Sequence, residues 1–299
     1  MSKLYSILIY LSFLGLWITS IVPAEFEILL GFMLIFSFGI LHGANDILLI
    51  NVISNHKKKD SFLKVLIVYL LTVFSAVALF YFIPLVALIL FILFSAYHFG
   101  EQHWESKVLG VSKTISHTYY FVYGLFLFML LFIFNTTEVI EVIKAITRYT
   151  VNDNTIIYSF AATAYILLFI AVRLFYKSSA FKAIALRESF NLLVFTLIFK
   201  VSTLIWGFAI YFILWHSIPS LFEQISFIYG RFSKVNVVSY VKRAFPYWLI
   251  SLIGMAIVIF VFQEEKLLYA IIFSFIAAVT FPHAIVITKM FKQKKNAIK

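Results

Sequence analysis

Apolar runs of about 20 residues recur along this chain, and that length is what a helix needs to cross the hydrocarbon core of a bilayer. The candidate spans are Leu4–Val22, Ile28–Ile53, Phe62–Phe82, Leu85–Trp104 and Ile115–Asn135, followed by Thr155–Phe175, Arg187–Phe199, Thr203–Phe227, Trp248–Gln263 and Leu267–Met290. In lipid the backbone polar groups must be satisfied within the spanning segment, so runs of this kind are read as helices. The expectation is an all-α integral membrane protein, a single polytopic transmembrane domain over residues 1–299. It is a bundle of about ten transmembrane helices, within a range of eight to ten. Arg187–Phe199 is short and is followed by Lys200, which also fits a tilted or re-entrant element.

Composition bears on this where charge is concerned. Only 12% of residues are charged and 63% are hydrophobic, whereas a soluble domain is about a quarter charged. A net charge of +11 would suggest nucleic acid in a soluble protein. Here the cations lie between the apolar runs, so topology explains them and no nucleic-acid partner is expected. With the N-terminus inside, twenty Lys and Arg fall on the cytoplasmic side and only Lys144, Arg148, Lys200 and Lys266 outside. The positive-inside rule therefore puts both termini in the cytoplasm of a multi-pass cell-membrane protein. The first run lacks a clear cleavage site and is read as a span, not a signal peptide. Between Thr136 and Asn154, Glu138, Glu141, Lys144 and Arg148 at helical spacing suggest an interfacial amphipathic helix. The absence of cysteine excludes disulfides, thiolate metal sites and a cysteine nucleophile.

Ionisable side chains within such runs are costly and mark functional candidates. His42, His98, His216 and His283 fall in the second, fourth, eighth and tenth runs, each toward the cytoplasmic end. Any one of them alone would ordinarily be an interhelical or interfacial hydrogen-bonding residue. Four imidazoles at similar depth on helices running the same way are what a bundle needs to build one metal site. Imidazole donors suit iron, zinc or copper and do not choose among them. Asp46, one turn after His42, and Glu101, three residues after His98, are placed to orient those rings and to supply negative charge. Tyr97, Asn45 and Gln102 are further polar candidates at this depth. His56, in a basic loop, and His117, at the start of a span, are read as surface residues.

His103 follows His98 by five residues, about 140° around a helix, so the two share a face only if the helix bends, which Gly100 would permit. Pro219 and Pro282 are expected to disturb the helices beside His216 and His283. No His-x-x-His-His box, His-Glu-x-x-His pair or glycine-rich phosphate loop occurs.

Taken together, His42-Gly43-Ala44-Asn45-Asp46, Tyr97-His98-Phe99-Gly100, Trp215-His216-Ser217 and Pro282-His283 resemble the Brp/Blh-type membrane β-carotene 15,15′-dioxygenases, in that family's order. The resemblance implies a non-haem Fe(II) held by histidines and O₂-dependent cleavage of β-carotene at its central double bond, giving two retinals. It makes His42, His98, His216 and His283 the iron ligands or their immediate partners, with Asp46, Glu101 and Ser220 around them; no catalytic residue is assigned beyond the metal site. Tyr97, Trp215 and Phe281 are assigned to substrate binding. A retinal-binding rhodopsin is the implied functional companion.

Two departures stand out. The family places a second histidine four residues after the Trp-His pair, where this chain has Ser220, and His103 stands where an aspartate is common. His103 or Glu223 could then act as an additional or replacement ligand. Two alternatives follow: a metal-dependent membrane enzyme acting on another carotenoid or isoprenoid lipid, or a transporter with a His/carboxylate proton relay.

Overall fold

The computed structural model describes residues 2–54, 59–107, 110–261 and 265–298. In chain order the helices are α1 (Ser2–Ile21), α2 (Ala24–Leu34), α3 (Ile40–Gly43), α4 (Asp46–Ser54), α5 (Lys59–Phe82), α6 (Pro84–Trp104) and α7 (Lys113–Phe134). They continue with α8 (Thr136–Thr147), α9 (Asp153–Lys177), α10 (Ser179–Val201), α11 (Leu204–Ile210), α12 (Ile218–Tyr229), α13 (Lys234–Val261) and α14 (Glu265–Ile298). Two π-helical segments, Ile35–Gly39 and Tyr211–Ser217, interrupt the runs that carry His42 and His216. No strand occurs among the described residues, so the protein is all-α.

Among the described residues seven stretches are long and apolar enough to cross a membrane: Lys3–Ile21, Ala24–Ile53, Pro84–Trp104, Lys113–Phe134, Asp153–Lys177, Leu204–Tyr229 and Ser274–Lys294. Ile67–Phe82 is apolar but shorter. The other two expected spans fall in α10 and α13, which carry Arg187, Glu188 and Lys200, and Lys242 and Arg243. Within α10 the short Arg187–Phe199 run belongs to a 23-residue helix. The end of the Trp248–Gln263 run, like His56, lies outside the described residues.

The chain packs as two compact units. The first comprises residues 1–35, 96–141 and 150–218. In it α7 lies along α9, α11 packs on α2, and α10 contacts α1, α7 and α9. Two carboxylates finish the start of α11: Glu27 accepts the Thr203 N–H at 2.9 Å and Glu138 accepts the Leu204 N–H at 3.0 Å. The first amides of a helix have no intrahelical acceptor, and acids there also complement the helix dipole. This accounts for the burial of Glu27 and anchors the segment leading to His216.

Where α6 meets α7, Ala96-x-x-x-Gly100 faces Tyr120-x-x-x-Gly124. A Cβ on Gly100 would lie 2.6 Å from the Tyr120 carbonyl carbon, and one on Gly124 would lie 2.7 Å from that of Ala96. Small residues spaced by four let helix backbones approach this closely in membrane proteins. Gly100 therefore serves close packing, on a helix that runs unbroken to Trp104.

The second unit comprises residues 36–95, 142–149 and 219–299. Here α14 packs along α5 and α4, and α13 against α3 and α14. One core cluster includes Phe80, Leu88, Phe91, Ala277 and Phe281, and another is built on Leu49, Ile287 and Met290. Pro282 lies within α14, and Pro219 is the second residue of α12.

Candidate metal-site histidines

The four histidines are buried, none more than 4% exposed, and they come as two pairs, one in each unit. In the second unit His42 sits in the four-residue helix α3, between the Ile35–Gly39 π segment and a break at Ala44–Asn45. Its Nδ1 donates to the Gly39 carbonyl. His283, after Pro282 on α14, places Nδ1 2.7 Å from Asp46 Oδ1. The two rings stand 4.7 Å apart and nearly perpendicular. A carbonyl and a carboxylate only accept, so both Nδ1 atoms carry a proton, and in a neutral ring that leaves the lone pair on Nε2. That is the tautomer a metal-binding histidine adopts when an acceptor fixes its other nitrogen.

Asp46 thus orients His283, where the sequence suggested His42. The chain leaves the helix at Ala44–Asn45 and restarts at Asp46, so the one-turn spacing no longer puts Asp46 and His42 on one face. Tyr69 donates to Asp46 Oδ2 at 3.2 Å, completing a Tyr69–Asp46–His283 chain. Behind His42, its carbonyl accepts Gln224 Nε2 at 3.1 Å, and Tyr240 donates to Gln224 Oε1 at 2.6 Å. Asn45 Nδ2 donates to the Tyr240 carbonyl at 3.0 Å. Ser220 belongs to this shell, its Oγ 3.0 Å from Gln224 Nε2. Glu223, one residue before Gln224, is half-buried.

In the first unit His98 on α6 and His216 in the Tyr211–Ser217 π segment form the matching pair, with rings 4.7 Å apart at 78°. Phe212 stacks on His216 at 5.4 Å and the Phe99 ring lies 4.4 Å away. A π turn widens the helix and is frequent at functional sites. Here it directly precedes Pro219, whose missing N–H falls where the register changes. Trp215 fixes the segment by donating to Ser12 Oγ at 2.9 Å.

The remaining candidates make further contacts. Glu101 accepts the Tyr97 hydroxyl at 2.9 Å, and Tyr97 also meets His117 Nδ1 at 2.7 Å. Phe281 packs edge-on against Phe94 in the core of the second unit. His103 Nε2 is 2.8 Å from Glu188 Oε2, and its ring stacks on Tyr123. Lys107 at 2.9 Å and Arg187 at 3.1 Å complete this group on Glu188 Oε1. Burial pushes the Lys107 ammonium down to about 8, with the Glu188 carboxylate pulling the other way. Sequence reasoning passed over Glu188, although a lone carboxylate within an apolar run was the available signal.

Among the described residues no group of three or more His, Asp or Glu is disposed to hold a metal ion. The His42–His283 pair suits a borderline dication: two imidazoles with Nδ1 engaged, and one buried carboxylate nearby to offset charge. Over residues 33–291 the sequence matches the family described as beta-carotene 15,15'-dioxygenase. The chain belongs to the beta-carotene 15,15'-dioxygenase family. No curated protein and no solved structure matches it. The matched residues take in all four histidine segments and stop short of α1 and the end of α14. Membership in the beta-carotene 15,15'-dioxygenase family implies a carotene-cleaving enzyme, in agreement with the resemblance carried by those segments.

Proposed function

We propose that this chain is an iron-dependent oxygenase that cleaves β-carotene at the central 15,15′ double bond within the membrane, giving two retinals. Its Fe(II) ligands are drawn from His42, His283, His98 and His216. The observation that carries this reading is the pair His42–His283, whose rings stand 4.7 Å apart with each Nδ1 engaged by an acceptor. Bound iron would supply activation of O₂. The chain's own residues do the rest: Asp46 and Gly39 hold the rings of one pair, and Phe99 and Phe212 exclude water from the other.

β-Carotene is about as long as the hydrocarbon core is thick, so entry from the bilayer would spare it a passage through water. The membrane arrangement we propose has about ten spans and both termini in the cytoplasm of the cell membrane, supported by the twenty-to-four partition of basic residues. A retinal-binding rhodopsin would consume the product.

A second reading has one observation in its favour. Ser220, where the resemblance expects a histidine, is fully buried and hydrogen-bonded to Gln224, which suits a changed substrate such as another carotenoid or isoprenoid lipid. Iron content and retinal formation in a carotene-accumulating host, measured for wild type, His42→Ala, His98→Ala and Ser220→His, test both readings. The first expects iron and retinal in wild type and loss of both in the alanine variants. Cleavage by a metal-free protein would overturn the metal assignment. Iron-loaded protein that leaves β-carotene intact but cleaves another carotenoid would favour the second reading.

A further inference from the structure

In the first unit a groove of about 200 Å³ runs between the start of α7 and the end of α9. Its walls are apolar: Val111, Ile115, Phe169, Ile170 and Leu174. Its polar lining consists of Thr114 and Thr118, one turn apart on α7, and Arg173 and Lys177, one turn apart on α9. No acidic side chain lines it. The Arg173 guanidinium lies 4.9 Å from the centre of the Phe169 ring, which holds it along the groove.

Among the described residues neither Arg173 nor Lys177 forms an ion pair. A second, independent feature concentrates positive potential here. The first turn of α7 has no acidic residue and begins with Lys113, so a cation sits at the positive end of the helix dipole. That is an unfavourable arrangement for an isolated helix, and an anion in the groove would offset it.

We propose that this groove binds an anionic glycerophospholipid. The phosphodiester would be held by Arg173, Lys177 and the Thr114 and Thr118 hydroxyls, and an acyl chain would lie along Ile115, Phe169 and Ile170. Arginine presents a fork of N–H donors that matches phosphate oxygens, and basic pockets between transmembrane helices recognise anionic head groups. A lipid is favoured over a free anion because α7 and α9 are both long and apolar enough to span a membrane, which continues the apolar walls into the acyl region. The proposal rests on the membrane setting and is independent of the proposed chemistry and of the metal.

The test uses the full chain in phosphatidylcholine micelles, with phosphatidylglycerol titrated in and binding followed by native mass spectrometry. Wild type should take up phosphatidylglycerol in preference to phosphatidylcholine. The exposed double variant Arg173→Gln/Lys177→Gln should bind it about thirtyfold more weakly, at roughly a factor of five per lost cation. A control that removes equal charge from the second unit, Arg231→Gln/Lys234→Gln, should bind like wild type. Equal uptake by wild type and the groove variant would overturn the proposal, as would no preference over phosphatidylcholine. Full displacement of phosphatidylglycerol by millimolar inorganic phosphate would show a free-anion site instead.

Discussion

Gly124→Ala tests whether backbone contact between α6 and α7 sets the position of His98. A methyl group at residue 124 would lie 2.7 Å from the carbonyl carbon and 3.1 Å from the Cα of Ala96. Carbon atoms pack at roughly 3.5–4.0 Å, so the shortfall is about 1 Å. Both sides of the clash are helix backbone, and no rotamer change relieves it. The helices must separate, at a cost near or above the upper end of the usual overpacking range, about 3 kcal/mol. For a chain of this size that corresponds to a fall of roughly 6–12 °C in melting temperature. His98 lies two residues beyond Ala96 on the same helix, so its pairing with His216 should loosen as well. Circular dichroism of detergent-solubilised protein reads the first effect, and iron content the second. Gly254→Ala is the control: nothing lies within 4 Å of a Cβ there, and replacing a helix-interior glycine should stabilise by up to about 1 kcal/mol. A Gly124→Ala protein that melts with wild type and retains its metal would refute the close-packing account.

Further expectations follow from the polar groups. Asp46→Ala should lower iron affinity by roughly 10- to 100-fold, with Tyr69→Phe acting in the same direction and less, as measured by chelator competition; unchanged affinity in both would dissociate Asp46 from the metal. Glu188→Ala strands the half-buried His103 and Lys107 and should cost about 3 kcal/mol in thermal unfolding. His103→Gln should keep its iron, and loss of metal there would make His103 a ligand after all. Between pH about 8 and the ordinary lysine value of 10.5, the unfolded chain retains a proton that folded Lys107 has released, so stability should rise with pH across that window. Comparing melting temperatures of wild type and Lys107→Met across the same pH range isolates this contribution, and identical pH slopes would remove Lys107 as its source.

The helices, and the histidines within them, could be located from the sequence because apolar run length and the cost of an ionisable group in lipid are local properties. The partner of His283 was not local. Asp46 was assigned to His42 by its one-turn spacing, yet a two-residue break after Gly43 turned it to His283, 237 positions away. Glu101 accepts from Tyr97 one turn before it, whereas His103 found Glu188 across 85 residues. The π segments at Ile35–Gly39 and Tyr211–Ser217 left no signature in hydrophobic period, because a single widened turn shifts the pattern by one residue inside a run that is apolar throughout.

By itself, then, the sequence determined an all-α, membrane-type chain, the four buried imidazoles and the family their segments resemble, since burial of apolar length and the scarcity of polar groups in it are decided residue by residue. Only the tertiary structure decided that the histidines stand as the pairs His42–His283 and His98–His216, which nitrogen of His42 and of His283 carries the proton, and that Gly100 and Gly124 draw two backbones together. Apart from Gly39, three residues before His42, those depend on partners and packing surfaces brought from other elements, and helix breaks and close approaches set them more than spacing does.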